Sequence, residues 1–481
     1  MAENPKKDVT KIAAIMAMIL IAAAIGSYLV WHSGRVMSVA SAYFAKTLCS
    51  GVFVAGRSAD DIIAEDVMAD MTVFLKHWDA DVDRERRVVR SSIFGFVERG
   101  AIYRPGLGCT LVTGTTVDAL ADQAGDYTPP ALVGRSAGLL WPEGSRVDTE
   151  VMSGGVDAVK LKRAVDSAFA EPYPKRLPRR TRTVVIVHNG RIISEKYADG
   201  FKPDTPQIGW SMGKSVMNAL IGTLIADRRL ETETKGLFPE WSANGDPRAT
   251  ISVDDLLRMV SGLDFDEPHT RMLSDVRTML FLKGDSAAYV KSEDPAMPVG
   301  KSWFYASGST TLLASAMRDA IGGSQADYFT YPYRALFAPI GMTSAIIEPD
   351  AAGTFLAPAF AYASARDWAR LGLLYLNDGV WQGKRILPEG WVRSSLAPTP
   401  HSQGQYGAHL WLTVPAFLRP ASASQHNIPE DAFFMLGHDG QMIAIVPSRD
   451  LVVVRLGLSR RRNAWDHNAF LSGILEAIPE R

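Results

Sequence analysis

Ser211 and Lys214 are the two residues of this chain best spaced for chemistry, in Gly209-Trp210-Ser211-Met212-Gly213-Lys214-Ser215-Val216. A serine hydroxyl is a poor nucleophile until a neighbouring base takes its proton, and an amine can be that base. The stretch 211–230, SMGKSVMNALIGTLIADRRL, predicts a helix beginning at or just before Ser211, with Val216, Leu220, Ile221 and Leu224 on its apolar face. A spacing of three on a helix brings the lysine amine back beside the serine. The positive end of the helix dipole then favours an alkoxide and, later, an oxyanion. The chemistry this predicts is acyl transfer.

The same letters allow other readings. Gly209 to Gly213 fits G-x-S-x-G, the elbow of α/β-hydrolases, but that turn follows a strand, and the preceding FKPDTPQIG is polar with two prolines. Gly213-Lys214-Ser215 resembles the end of a phosphate-binding loop, which needs four residues between its glycines where this chain has three. A capping serine with a surface lysine would also produce S-x-x-K.

Downstream residues decide between them. Tyr305-Ala306-Ser307 precedes a predicted helix in FYASGSTTLLASAM, and Gly437-His438-Asp439-Gly440-Gln441 is predicted to lie on a strand near the C-terminus. With SVDDLLRMVSGLDFDE (252–267), the ordered set resembles the serine β-lactamase and penicillin-binding-protein-like hydrolases, nearest the class C-like branch with its esterases and 6-aminohexanoate-dimer hydrolases. The resemblance covers about residues 180–460. It implies Ser211 as the acylated nucleophile, Lys214 in the proton network and Tyr305 as partner base and acid. Ser307 stands where the family's Y-x-N motif has Asn, at a position that would contact substrate. His438-Asp439-Gly440 stands at its K-T-G motif, where the family's lysine helps to bind the β-lactam carboxylate. The main-chain N–H groups of Ser211 and Gln441 would form the oxyanion hole. Both departures argue against β-lactams and for esters or amides.

The elements that must position these groups are legible around them. TVVIVHNGRIISEKY (183–197) predicts a hairpin turning at Asn189-Gly190. FFMLGHDGQMIAIVPSRDLVVVRLG (433–457) predicts three strands, the last two joined at Pro447-Ser448-Arg449-Asp450, and mostly helical sequence lies between. Strands at both ends with helices between predict an α+β fold, an antiparallel sheet flanked by helices plus a helical lobe. Val156–Glu171 predicts a helix after the break at Gly154-Gly155, and the Pro-rich, basic 172–183 a charged connector. Arg86–Val112 predicts strands and Asp61–Trp78 a looser helix. Asp264–His269 carries acids without ligand spacing and predicts a solvated loop near the cleft rather than a metal site.

Ile12–Trp31 holds no charge, and as a helix would span roughly 30 Å, one hydrocarbon core. Lys6, Lys7 and Lys11 before it predict a cytoplasmic N-terminus, with everything after Trp31 outside. A cleaved signal is the competing reading, with Ala40-Ser41-Ala42 as its small-x-small site. Cys49 and Cys109 would then share an oxidising compartment and are expected to pair. A formal net charge of −1 gives no reason to expect a nucleic-acid partner.

The expected organisation is a cytoplasmic segment 1–11, an anchor 12–31, an accessory region 32–150 and a hydrolase domain 151–481. The expected activity is acyl-enzyme hydrolysis of a small ester or amide in the periplasm or outside the cell, without metal or cofactor. The alternative is a peptidoglycan- or peptide-binding protein on a decayed hydrolase fold.

Overall fold

A computed structural model describes residues 5–68, 77–129, 138–148, 155–268, 271–421, 426–461 and 463–480. Part of the helix expected over Asp61–Trp78, Gly154 and His269 fall outside the described residues; Ala59–Asp61 and Ile62–Val67 are helical. The chain forms an antiparallel sheet flanked by helices, a helical lobe beside it, and an N-terminal layer led by one long helix.

The central sheet uses strands from both ends of the segment 181–457. Strands β5 (Thr181–His188) and β6 (Arg191–Tyr197) form the expected hairpin, with Asn189 and Gly190 both at positive φ, as a type I′ turn requires. The C-terminal strands β7 (Phe433–Gly437), β8 (Gln441–Val446) and β9 (Leu451–Gly457) complete the order β7-β8-β9-β5-β6, antiparallel throughout. Leu451 lies opposite His188 in the register that joins the two ends.

Both faces of this sheet are buried, so its strands read as nearly continuous apolar runs. Period-two alternation still sorts the side chains. Val185, Val187, Ile443, Ile445, Val452 and Val454 join the core shared with the helical lobe. Val184, Ile186, Met442, Ala444, Leu451 and Val453 join a second core. That second core is covered by α2 (Ala158–Phe169) and the last helix, His467–Leu475. Asp157 caps α2, its carboxylate accepting from the N–H groups of Val159 and Lys160.

The helical lobe contains α3 (Met212–Ala226), α4 (Asp275–Leu282) and α5 (Ser307–Ile321). Nearly all of α3 is buried, its polar Lys214, Ser215 and Asn218 included. This is wider than the single apolar face read from sequence, because lobe and sheet enclose α3 from several sides.

At the N-terminus, α1 runs unbroken over Pro5–Cys49, well beyond Trp31. Its apolar residues from Ile15 to Trp31 are more than half exposed. Its last turns are buried against the sheet of β1 (Trp78–Asp83), β2 (Val88–Ile93), β3 (Arg99–Arg104) and β4 (Gly108–Leu111). Ala42, Ala45 and Leu48 share one hydrophobic core with residues of α3, α4 and α5. Cys49 and Cys109 are bonded, with Cα atoms 6.1 Å apart, fastening the end of α1 to β4.

Candidate active site

Ser211 sits at the N-cap of α3. The short strand before it, Gln207–Ile208, pairs with Ala361–Ala363, and the Gly209 N–H donates to the Ala361 carbonyl at 2.8 Å. Trp210 then takes a left-handed conformation, φ 49°, which is uncommon for a bulky side chain. Its ring is held edge-on to His438, centroids 5.6 Å apart, and against Phe360. Two glycines allow the close packing on either side. A Cβ on Gly213 would lie 2.0 Å from the Ala357 carbonyl oxygen, and one on Gly437 would lie 2.1 Å from that of Gly209. Gly213 of G-x-S-x-G therefore serves backbone approach here, where the two-residue strand Gln207–Ile208 turns into α3.

Lys214 points back as the three-residue spacing predicts. Its Nζ donates to Ser211 Oγ at 3.0 Å, to Ser307 Oγ at 3.0 Å and to the Pro358 carbonyl at 3.3 Å. It is buried, and burial draws its ammonium down to about 8, with Glu267 opposing. An amine with that value is partly neutral near pH 7 and can take a proton.

Glu267 corrects the sequence reading. Asp264 and Pro268 are exposed as expected of a solvated loop, but Glu267 is buried and faces inward. Its Oε2 accepts from the Ser307 N–H at 2.8 Å and its Oε1 from the Ser307 hydroxyl at 2.7 Å. Burial pushes its carboxyl up, while the Lys214 charge and the two Ser307 bonds pull it down. Ser307 thus bridges Lys214 and Glu267. It was expected to contact substrate; in the structure its hydroxyl belongs to this internal network, although the residue also borders the cavity.

Tyr305 lies immediately before α5, its ring 4.7 Å from Lys214 Nζ. It stacks on Trp411 at 5.2 Å between centroids and meets Tyr406 edge-on. Burial holds its phenol well above the usual value, the Glu267 carboxylate pushes the same way, and a hydrogen bond with Ser211 opposes them. Tyr305 is therefore a neutral phenol, a proton donor in its resting state.

The strand expected to run through 437–441 is interrupted. His438–Gly440 form a tight turn between β7 and β8, with Asp439 at φ 61°. His438 is exposed, its Nε2 3.1 Å from Asp439 Oδ1. The Gly440 carbonyl accepts from Arg455 at 2.9 Å. The Gln441 side chain pairs in both directions with the Gly457 main chain, at 2.6 and 2.9 Å, and its main-chain N–H donates to the His438 carbonyl across the turn. Among the described residues no cluster of His, Cys, Asp and Glu could hold a metal ion.

A cavity of about 340 Å³ opens beside Ser211, bordered by Trp210, Ser307 and His438. Its far wall is the last part of α1 (Val39, Ala40, Tyr43, Phe44) together with α4. Sequence reasoning missed this wall because it is set by packing between segments far apart in the chain.

Residues 168–464 match the family model described as Beta-lactamase, and the chain belongs to that family. It is a family of serine hydrolases that includes esterases and amidases. Among curated proteins, the 6-aminohexanoate-dimer hydrolase of Paenarthrobacter ureafaciens is 24% identical over 324 residues, 61% of this chain and 77% of that protein. Among solved structures, a family VIII carboxylesterase superposes with a TM-score of 0.51 at 15% identity, covering 67% of this chain and 98% of that one. A penicillin-binding protein homolog from Caulobacter crescentus gives 0.50 at 16% identity, covering 68% and 98%. At these identities the structural likeness speaks for the fold alone.

Proposed function

We propose that this protein is a membrane-anchored serine hydrolase that cleaves an ester or amide through an acyl-enzyme on Ser211. The observation carrying this is the 3.0 Å contact between Ser211 Oγ and Lys214 Nζ, in a buried site that lowers the lysine to about 8. Neutral Lys214 takes the Ser211 proton as Oγ attacks the carbonyl carbon. The carbonyl oxygen gains the negative charge and accepts from the main-chain N–H groups of Ser211 and Gln441, the latter shared with the His438 carbonyl. The oxyanion collapses, the bond to the leaving group breaks, and Tyr305 supplies the proton that group needs. Water then attacks the acyl-enzyme with the same groups in reverse, releasing the acid and restoring Ser211.

Anchoring is supported by the apolar stretch of α1, long and apolar enough to cross a membrane and unburied there. The lysines before it favour a cytoplasmic N-terminus, and a disulfide just after it suits the periplasm or the cell exterior. Residues 32–150 are then an accessory region built onto a hydrolase domain, 151–481. A fluorophosphonate probe tests the nucleophile: it should label the wild type and not Ser211→Ala. Equal labelling of both, or of neither, would favour the peptide-binding alternative or another nucleophile.

A further inference from the structure

The cavity beside Ser211 is walled by segments of different origin. Val276, Leu280 and Phe281 come from α4, inside the family match; Val39, Ala40 and Phe44 come from α1, outside it. These six side chains are apolar and converge on the nucleophile. Polar groups sit to one side, where Arg460 donates to the Tyr43 hydroxyl at 3.2 Å and Arg277 also borders the space. Ser211, Ser307 and His438 line the cavity, but Tyr305 and Lys214 do not. Because Tyr305, which would protonate a leaving group, does not border this space, a substituent lying there is assigned to the acyl half of the substrate.

We infer that this cavity takes the hydrocarbon chain of the acyl group, so that the preferred substrates are esters or amides of medium-chain carboxylic acids. The inference rests on Ser211 as the nucleophile and goes beyond it, since a bare acetyl group would leave the α1 wall untouched. Allowing about 30 Å³ for each small group, the 340 Å³ holds roughly ten non-hydrogen atoms, an acyl chain of about six to ten carbons. Each methylene buried in such a space is worth roughly fourfold in binding. α1 makes the chain selection, because it closes one side of the cavity from outside the family match.

The test uses the full-length protein in detergent and kcat/KM for the p-nitrophenyl esters of acetate, butyrate and octanoate. The wild type should prefer octanoate to acetate by at least about 30-fold. Ala40→Phe, which fills the α1 side, should lower octanoate turnover at least tenfold more than acetate turnover. Leu280→Phe should do the same from the α4 side and serves as the second variant if the first does not fold. A wild type that handles octanoate no better than acetate, or a ratio unmoved by both variants, overturns the inference. A readout independent of turnover separates it from the nucleophile assignment. In Ser211→Ala, 8-bromooctanoate should quench tryptophan fluorescence, through a component that Trp210→Phe removes and Ala40→Phe weakens. Quenching without ester turnover in the wild type would overturn the nucleophile and keep the pocket. Absence of quenching overturns the pocket.

Discussion

Lys46 of α1 and Glu348 of the family-matched segment form an enclosed ion pair, Nζ to Oε2 2.7 Å, with almost no solvent on either side chain. Glu348 Oε1 also accepts from Ser50 Oγ at 2.8 Å and from the Cys109 N–H at 2.7 Å. Lys46 also donates to the Cys109 carbonyl and lies over the Phe360 ring. Burial draws the Lys46 amine down and the Glu348 carboxyl up, and each charge opposes the shift of the other. Taking away one partner strands the other in the core. Lys46→Met should therefore cost about 3–5 kcal/mol, and Lys46→Met/Glu348→Met should recover much of that. Thermal unfolding checks both. A single variant melting like the wild type would mean the pair does not hold α1 in place.

The pH dependence follows from Lys214. To act as the base its amine must be neutral, and burial has brought it to about 8. Ester kcat/KM should rise about tenfold per pH unit below about 8 and level off above. Glu267 is the charge that raises this lysine, so Glu267→Gln should move the limb to lower pH. A limb that stays put or moves upward would remove Glu267 from the network.

Lys214→Ala and Tyr305→Phe should each lower kcat by at least ~10²-fold, the lower end for a positioned acid or base. Near-normal turnover in either variant excludes that residue from the proton transfers.

The expected substrate preference rests on His438 and Ser307. By the resemblance His438 would stand for the family's fixed cation and Ser307 for its amide; the Ser307 hydroxyl is turned to Lys214 and Glu267. A lost charge-assisted contact costs about 1.5–3 kcal/mol, one to two powers of ten. p-Nitrophenyl butyrate should thus be hydrolysed with a higher kcat/KM than nitrocefin, and His438→Lys should raise nitrocefin relative to the ester. The reverse order would point to a β-lactamase.

The Cys49–Cys109 bond closes a loop whose ends lie 60 positions apart in sequence. On the chain-entropy model such a loop is worth roughly 4 kcal/mol. Cys49→Ser/Cys109→Ser should melt well below the wild type. Quantitative alkylation of both thiols in unreduced protein would show that the bond does not form.

The legible parts of this protein are those fixed by short-range chemistry. Ser211 and Lys214 are three residues apart, so helix geometry alone brings them together. Asn189-Gly190 dictates its own turn, and the apolar runs on either side of it and near the C-terminus declare buried strands. Glu267 was not legible, because its burial depends on Ser307, forty positions away. The turn at His438–Gly440 was hidden within an apolar run that read as strand. The far wall of the cavity depends on contacts such as Lys46 with Glu348, which no local pattern encodes.

Ala40-Ser41-Ala42 has the letters of a signal-peptide cleavage site, yet the folded chain spends all three inside α1. Ser41 and Ala42 are buried, Ser41 Oγ donates to the Ser91 carbonyl at 2.6 Å, and Ala40 faces the cavity. A cut there would shed Val39 and Ala40 along with the apolar stretch. Release into solution and loss of one side of the cleft would be the same event, so a freed form would differ in selectivity as well as address. Shortening the chain before Gly34 instead should yield a soluble protein that still carries its own wall.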